Sequence, residues 1–172
     1  AKGGKSHDYK ATVCAGISRG VIYVLAARIR KESAGRMIEG MYRIYDDHQP
    51  SYMFWEDNGG QAILSETFQW KAEEFGFFLP VRAETNTVSK EQRVEQTLSA
   101  PIENGVVRFN RRDGDQKLLV EQLLQFPDGE YDDGPDALEG VVRKLLYYTR
   151  KGRAGMPRSR RPLESRRMLK GF

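Results

Sequence analysis

The chain has 172 residues, of which 39% are hydrophobic, and it carries a formal net charge of +4 at neutral pH. This length fits one domain with a core of its own, and the single cysteine excludes an intramolecular disulfide and a CxxC metal site. No apolar run approaches the roughly 18 residues of a membrane span, and no apolar signal segment opens the sequence. These features are typical of a soluble intracellular protein without a membrane role.

The positive charge is concentrated at the C-terminal end. From Arg150 to Phe172 there are nine Lys and Arg residues and one acid, so residues 1–149 carry a net charge of −4. The sequence therefore predicts an acidic domain over 1–149 and a basic, flexible tail over 150–172. The tail is expected either to contact DNA phosphates or to stay solvated without a partner.

Hydrophobic periodicity and turn residues predict an alternation of strands and helices. In chain order these are a strand hairpin at 10–17 and 21–29, a helix between Ser33 and Pro50, a strand at 52–55, a helix at 61–74, a strand at 77–81, a helix at 88–98, a strand at 106–109, a helix at 116–125 and a helix from Pro135 to about Tyr148. Strands separated by helices usually pair in parallel. The order thus predicts an α/β domain with a mixed sheet flanked by helices, and Trp55 and Trp70 are expected in its core.

Acidic residues occur at three places that such a sheet would bring together. They are Asp8 before the first strand, Glu56 and Asp57 after the aromatic strand, and Asp132, Asp133 and Asp136 where the last helix starts. Carboxylate oxygens are the ligands that Mg²⁺ prefers, and two such ions can stabilise both the attacking and the leaving oxygen in phosphodiester hydrolysis. The pattern indicates a metal site, although each acid alone is also typical of a solvated surface, a turn or a helix N-terminus.

Four stretches of the sequence carry a family resemblance. They are His7 to Thr12 opening a strand, Phe54 to Asn58 ending one, Tyr131 to Leu138 opening a helix, and Ser89 to Arg93 followed by Glu103 to Phe109. Together, over about residues 1–147, they resemble the nuclease domains of tailed-phage large terminases. The resemblance implies a ribonuclease H-like fold that holds two Mg²⁺ or Mn²⁺ ions.

The resemblance also implies roles for individual acids. Glu56 matches the ligand at the end of the central strand, and Asp133, with Asp132 beside it, matches the ligand on the late helix. Asp136 is a further candidate ligand, and Asp8 matches a secondary acid of the family. The family's leading aspartate stands in an Asp-Pro or Asp-Ala pair several residues earlier and has no counterpart here. We therefore expect that the sequence is cut from a longer one.

Basic residues are the expected contacts to nucleic acid. Lys90 and Arg93 resemble the family's basic loop near the scissile strand, although on a helix they are equally typical of exposed charges that pair with neighbours. Arg108, Arg111 and Arg112 are candidate contacts to the backbone of double-stranded DNA. The resemblance further implies the portal or procapsid and the small terminase subunit as partners, in the host cytoplasm. A GxxxxGK[ST] phosphate loop is missing from the sequence, so ATP is not expected to bind here.

The function implied by the resemblance is endonucleolytic cutting of double-stranded DNA concatemers during viral genome packaging. Two alternatives share the same sequence features. One is another ribonuclease H-like enzyme, such as a junction resolvase or an integrase. The other is a noncatalytic packaging module that binds DNA or the portal through its basic tail.

Overall fold

The computed structural model describes residues 9–56 and 61–151, without the side chains of 61–63. The elements are β1 (Tyr9–Ser18), β2 (Val21–Lys31), α1 (Ala34–His48), β3 (Met53–Glu56), α2 (Gln61–Phe75), β4 (Val81–Glu84), α3 (Lys90–Glu103), β5 (Val107–Arg108), α4 (Gly114–Gln125) and α5 (Asp133–Arg150). Asp8, Asp57 and the tail beyond residue 151 lie outside the described residues. None of the helices in the described ranges is both long and apolar enough to cross a membrane.

The strands form two sheets. One has the order β1-β2-β5, with β1 and β2 antiparallel and β2 and β5 parallel, and the other pairs β3 with β4 in parallel. The predicted α/β class, the mixed sheet and its flanking helices are confirmed, and so is the hairpin. Its turn places Arg19 and Gly20 at φ 50° and 79°, the left-handed pair that suits a tight two-residue hairpin turn.

Three details of the sequence prediction are wrong. The strand expected at 77–81 lies further along, at Val81–Glu84, because Pro80 cannot donate to a ladder and Phe77 packs against Tyr42 instead. Trp70 is 68% exposed and is not a core residue. The last helix begins at Asp133 and not at Pro135, since the N–H of Asp136 already bonds to the carbonyl of Asp132.

Helices cover both faces of the three-stranded sheet. Ile29 of β2 belongs to the larger core cluster, together with buried residues of α3, α4 and α5. Its neighbour Arg28 points to the other face, where its side chain lies against Gly40 of α1. A second cluster joins α1 to β3 around the buried Tyr42, whose hydroxyl donates to the carbonyl of Phe77 at 2.7 Å. The sheet thus lies between α1 on one side and α4 and α5 on the other.

The start of α5 is anchored in the larger core. The N–H of Gly134 donates to Gln122 Oε1 of α4 at 2.9 Å, and Gly134 is buried. A Cβ at this position would lie 2.5 Å from that oxygen and 3.0 Å or less from Leu119 and Ile29. The absence of a side chain therefore lets the first turn of α5, with its aspartates, approach α4 and β2 closely.

Gly134→Ala is expected to destabilise the protein by about 1–3 kcal/mol, because the added methyl overpacks this contact. Gly114→Ala, at the start of α4, is the matched control, since a Cβ there meets nothing within 4 Å. It is expected to be neutral or to stabilise by up to about 1 kcal/mol through helix propensity. Urea unfolding of both variants measures the difference, and equal changes would contradict this account of Gly134.

Candidate active site

A buried arginine lies at the centre of the site. Arg93 is in the first turns of α3, whose start is capped by the hydroxyl of Ser89. The Arg93 side chain is 8% exposed. Its Nη2 lies 3.0 Å from Glu56 Oε1 and 3.0 Å from Asp136 Oδ1, and its Nη1 lies 2.8 Å from Glu139 Oε2. We call these four residues the Arg93 network. It connects the end of β3, the start of α3 and one face of α5.

Two carboxylates of the network lie close together. Because Glu56 and Asp136 both lie 3.0 Å from the same nitrogen, their nearest oxygens are within 6 Å of one another. Burial raises the pKa of Asp136 above its usual value of 3.8, and the charge of Glu56 raises it further, against the opposing charges of Lys90 and Arg93. Two carboxylates in such contact favour either a shared proton or a cation between them.

The neighbouring aspartates lie along the same helix start. Lys90 Nζ donates to Asp132 Oδ1 at 3.0 Å and lies 3.7 Å from Asp136 Oδ2. Burial also raises the pKa of Asp133, partly offset by Lys90 and Lys10. Glu56, Asp133 and Asp136 line a single cleft. Of the acids predicted on β3 and α5, Glu56 and Asp136 therefore lie close together around Arg93, and Asp133 lines the same cleft.

Glu139 is a residue of the site that the sequence did not predict. This residue is fully buried on α5, and besides Arg93 it accepts hydrogen bonds from Arg143 Nε at 2.8 Å and from Thr97 Oγ1 at 3.0 Å. A signal was available, because Asp136, Glu139 and Arg143 recur at i, i+3 and i+7, the spacing of one helix face. That spacing predicts a charged stripe along α5 but does not show that the stripe is buried.

The predicted nucleic-acid contacts are distributed over two places. Lys90 and Arg93 belong to the carboxylate site, and Arg93 is buried there with its donors directed at acids, not exposed toward a phosphate. Arg108, Arg111 and Arg112 are exposed. They lie on β5 and the turn after it, on the opposite side of β2 from β1, and the contacts of the Arg93 network do not include them. Their role in binding DNA stays a prediction.

The carboxylates of this site match the ligands of a hard divalent cation only in part. Carboxylates with raised pKa and clustered negative charge are the groups that Mg²⁺ or Mn²⁺ stabilises. Within residues 9–56 and 61–151, however, no three acidic, His or Cys side chains converge closely enough to hold an ion. The Arg93 guanidinium lies between Glu56 and Asp136 and neutralises both. An ion at this place would have to displace Nη2 from at least one of them.

Comparison with known proteins gives no family assignment. The chain matches no protein-family model and no curated protein.

Arg93→Met is expected to destabilise the protein by about 3–5 kcal/mol at neutral pH, because it leaves buried carboxylates without their partner. Arg108→Met serves as the control, since Arg108 is exposed on β5, and its change should stay within about 0.5 kcal/mol. Urea unfolding at pH 7 measures both. A loss for Arg93→Met no larger than that of the control would show that the buried network does not need its cation.

Asp136→Asn tests the raised pKa of Asp136 through the pH dependence of stability. An acid whose pKa is raised by folding stabilises the fold fully below its unfolded pKa, and this contribution is lost as pH rises through the folded pKa. Asp136→Asn should therefore be more stable than the parent at neutral pH, with the difference vanishing below about pH 3.9. Unfolding free energies measured from pH 3 to 8 give the curve, with the exposed Asp128→Asn as control. A variant less stable than the parent at pH 7 would contradict the assigned shift.

Proposed function

We propose that this chain is a metal-dependent endonuclease domain with a ribonuclease H-like fold that hydrolyses double-stranded DNA. The observation that carries the proposal is that Glu56 and Asp136, 80 positions apart in sequence, lie close together in a cleft that Asp133 also lines. The resemblance of these same stretches to tailed-phage large terminases supports the reaction class, the substrate and a proposed role in genome packaging.

Each side chain has a proposed part in the reaction. Glu56, Asp133 and Asp136 would hold the divalent ions, and Asp132 would hold Lys90 in place through their ion pair. When bound, the ions supply Lewis-acid stabilisation of the phosphate oxygens and activate water. Arg93 keeps Glu56 and Asp136 oriented and their repulsion low. Lys90, whose ion pairs are with Asp132 and Asp136, would attract a DNA phosphate.

A specific observation favours the noncatalytic alternative. Arg93, with Lys90 beside Asp136 and Arg143 beside Glu139, already pairs the carboxylates of the Arg93 network with cations of the protein itself. In a noncatalytic packaging module this network would be purely structural. DNA or the portal would then be bound elsewhere, for example by Arg111, Arg112 and the basic tail.

Glu56→Ala and Asp133→Ala are each expected to reduce Mn²⁺-dependent conversion of supercoiled plasmid to nicked and linear forms by about a hundredfold or more, because a bound ion supplies several kcal/mol of charge stabilisation. Asp128→Ala, an exposed acid in the turn before α5, is the control and should cut at the parent rate. Thermal unfolding of each variant without metal verifies that the fold is retained.

Three further outcomes would count against the proposal or favour an alternative. Preferred cutting of four-way junctions over linear duplex would favour a resolvase-like enzyme. Retained cutting in both variants would refute the site. A parent chain that neither cuts DNA nor gains thermal stability with Mn²⁺ would favour the noncatalytic module.

A further inference from the structure

Glu139 is the most deeply buried acid of the Arg93 network. Its side chain has no exposure to solvent, whereas the other two carboxylates of the network are 22% and 14% exposed. Its Oε2 accepts from Arg93 Nη1 at 2.8 Å. Its Oε1 accepts from Thr97 Oγ1 at 3.0 Å and from Arg143 Nε at 2.8 Å. Donors from α3 and α5 thus fix the position of this carboxylate, and the proposed reaction gives it no part.

The Arg93 guanidinium donates from all three of its nitrogens. Nε donates to the Val88 carbonyl at 3.3 Å, and Nη1 donates to Glu139 at 2.8 Å. Nη2 donates to both Glu56 and Asp136 at 3.0 Å. The guanidinium is planar and its donors form a rigid fork. With Nε and Nη1 held, Nη2 can move away from its two acids only by rotation about the line that joins the held nitrogens.

The bonds of Nη2 and of Nη1 differ in their access to solvent. Glu56 and Asp136 line the cleft, where water or a cation can replace the guanidinium as their partner, and Glu139 does not line it. Opening the bond between Nη1 and Glu139 would instead weaken the pairing of a carboxylate that water does not reach. Breaking a buried pair costs more than breaking an exposed one. The bonds of Nη2 are therefore the ones that open first.

The charge of Arg93 has to stay paired when those bonds open. Arg93 would give up at least one of its two cleft carboxylates when a cation binds there, and an unpaired cation inside the domain is costly. Glu139 lies one helical turn after Asp136 on α5, already bonded to the guanidinium. It can therefore supply the counter-charge without any movement of the helix.

We propose that Glu139 is a positioning residue of this site, which retains Arg93 within the domain while a divalent cation takes over Glu56 and Asp136. The guanidinium yields these carboxylates by turning about its bonds to Glu139 and to the Val88 carbonyl, and it returns to them when the cation leaves. This inference rests on the proposed function, since it takes the two carboxylates as cation ligands.

Binding of Mn²⁺ tests this role without any need for DNA cutting. Glu139→Gln keeps the size of the side chain and removes its charge, so Arg93 is left with Glu56 and Asp136 as its counter-charges. We expect the affinity for Mn²⁺ to fall by about tenfold, a size typical of coupling between charges in contact. Electron paramagnetic resonance measures the free ion during a titration, and thermal unfolding without metal verifies the fold of the variant.

Two matched variants separate positioning from general charge and from packing. Glu84→Gln removes an equal charge next to Glu56 in the parallel register, where the carboxylate is paired outside the Arg93 network, and it should weaken binding less than Glu139→Gln does. Arg143→Met removes the other cation bonded to Glu139 and should not weaken binding, because the pair with Arg93 remains. A loss in either control as large as that in Glu139→Gln would overturn the proposal.

A second measurement needs no substitution. In ¹⁵N-edited spectra of the parent chain, the Nε–H of Arg93 should stay protected from exchange with water when Mg²⁺ is added, because its bond to Val88 and the neighbouring bond to Glu139 persist. Loss of this protection on addition of Mg²⁺ would mean that the guanidinium leaves the site. That result would overturn the proposal even if the variants did not fold.

The outcomes distinguish this inference from the proposed nuclease. A parent chain that binds Mn²⁺ without cutting DNA would refute the nuclease and leave the role of Glu139 standing, provided that Glu139→Gln weakens binding. A parent chain that binds Mn²⁺ as tightly as Glu139→Gln does would refute the role of Glu139 alone. A parent chain that binds no Mn²⁺ would refute both.

Discussion

The structure depends on a guanidinium that is removed from water and surrounded by acids. A buried charge is costly unless it is paired and hydrogen-bonded, and Arg93 meets both conditions with carboxylates from β3 and α5. Removing any one partner would change the charge balance of the others. For this reason the end of β3, the start of α3 and the inner face of α5 have to be placed as a unit.

A second ion pair repeats the arrangement one strand away. In the parallel register Glu56 lies beside Glu84, and neighbouring like charges on a sheet repel. Lys144 of α5 bonds to Glu84 at 2.5 Å. Burial raises the pKa of Glu84, but the contacts with Lys144 and with the Tyr52 hydroxyl lower it, and the net pKa is below the usual value. Helices α3 and α5 thus supply one cation for each acidic strand end, which lets the two strands pair.

Local features of the fold were predictable because their causes are local. The hairpin follows from a turn that tolerates positive φ at Arg19 and Gly20, and α1 follows from its Ser33 cap. The order of the predicted strands and helices also groups the acids of β3 and α5, and the family resemblance adds their expected roles. What escaped prediction depends on contacts distant in sequence: the burial of Arg93, the position of Glu139, and the division of the strands between two sheets. No local pattern shows that a charged helix residue faces inward when its partners lie 37 and 46 positions away.

The carboxylate site and the division of the sheets are physically connected. Glu56 is the last residue of β3, a four-residue strand that is paired with β4 on one side, so its backbone has limited support. Close packing supplies part of the remainder, since a Cβ at Gly140 would lie 3.0 Å from the ring of Phe54. That contact fixes how near β3 lies to α5, and the ladder with β4 sets the register of β3. The position of Glu56 relative to Asp136 is therefore set jointly by β4, by the packing against α5 and by the shared Arg93.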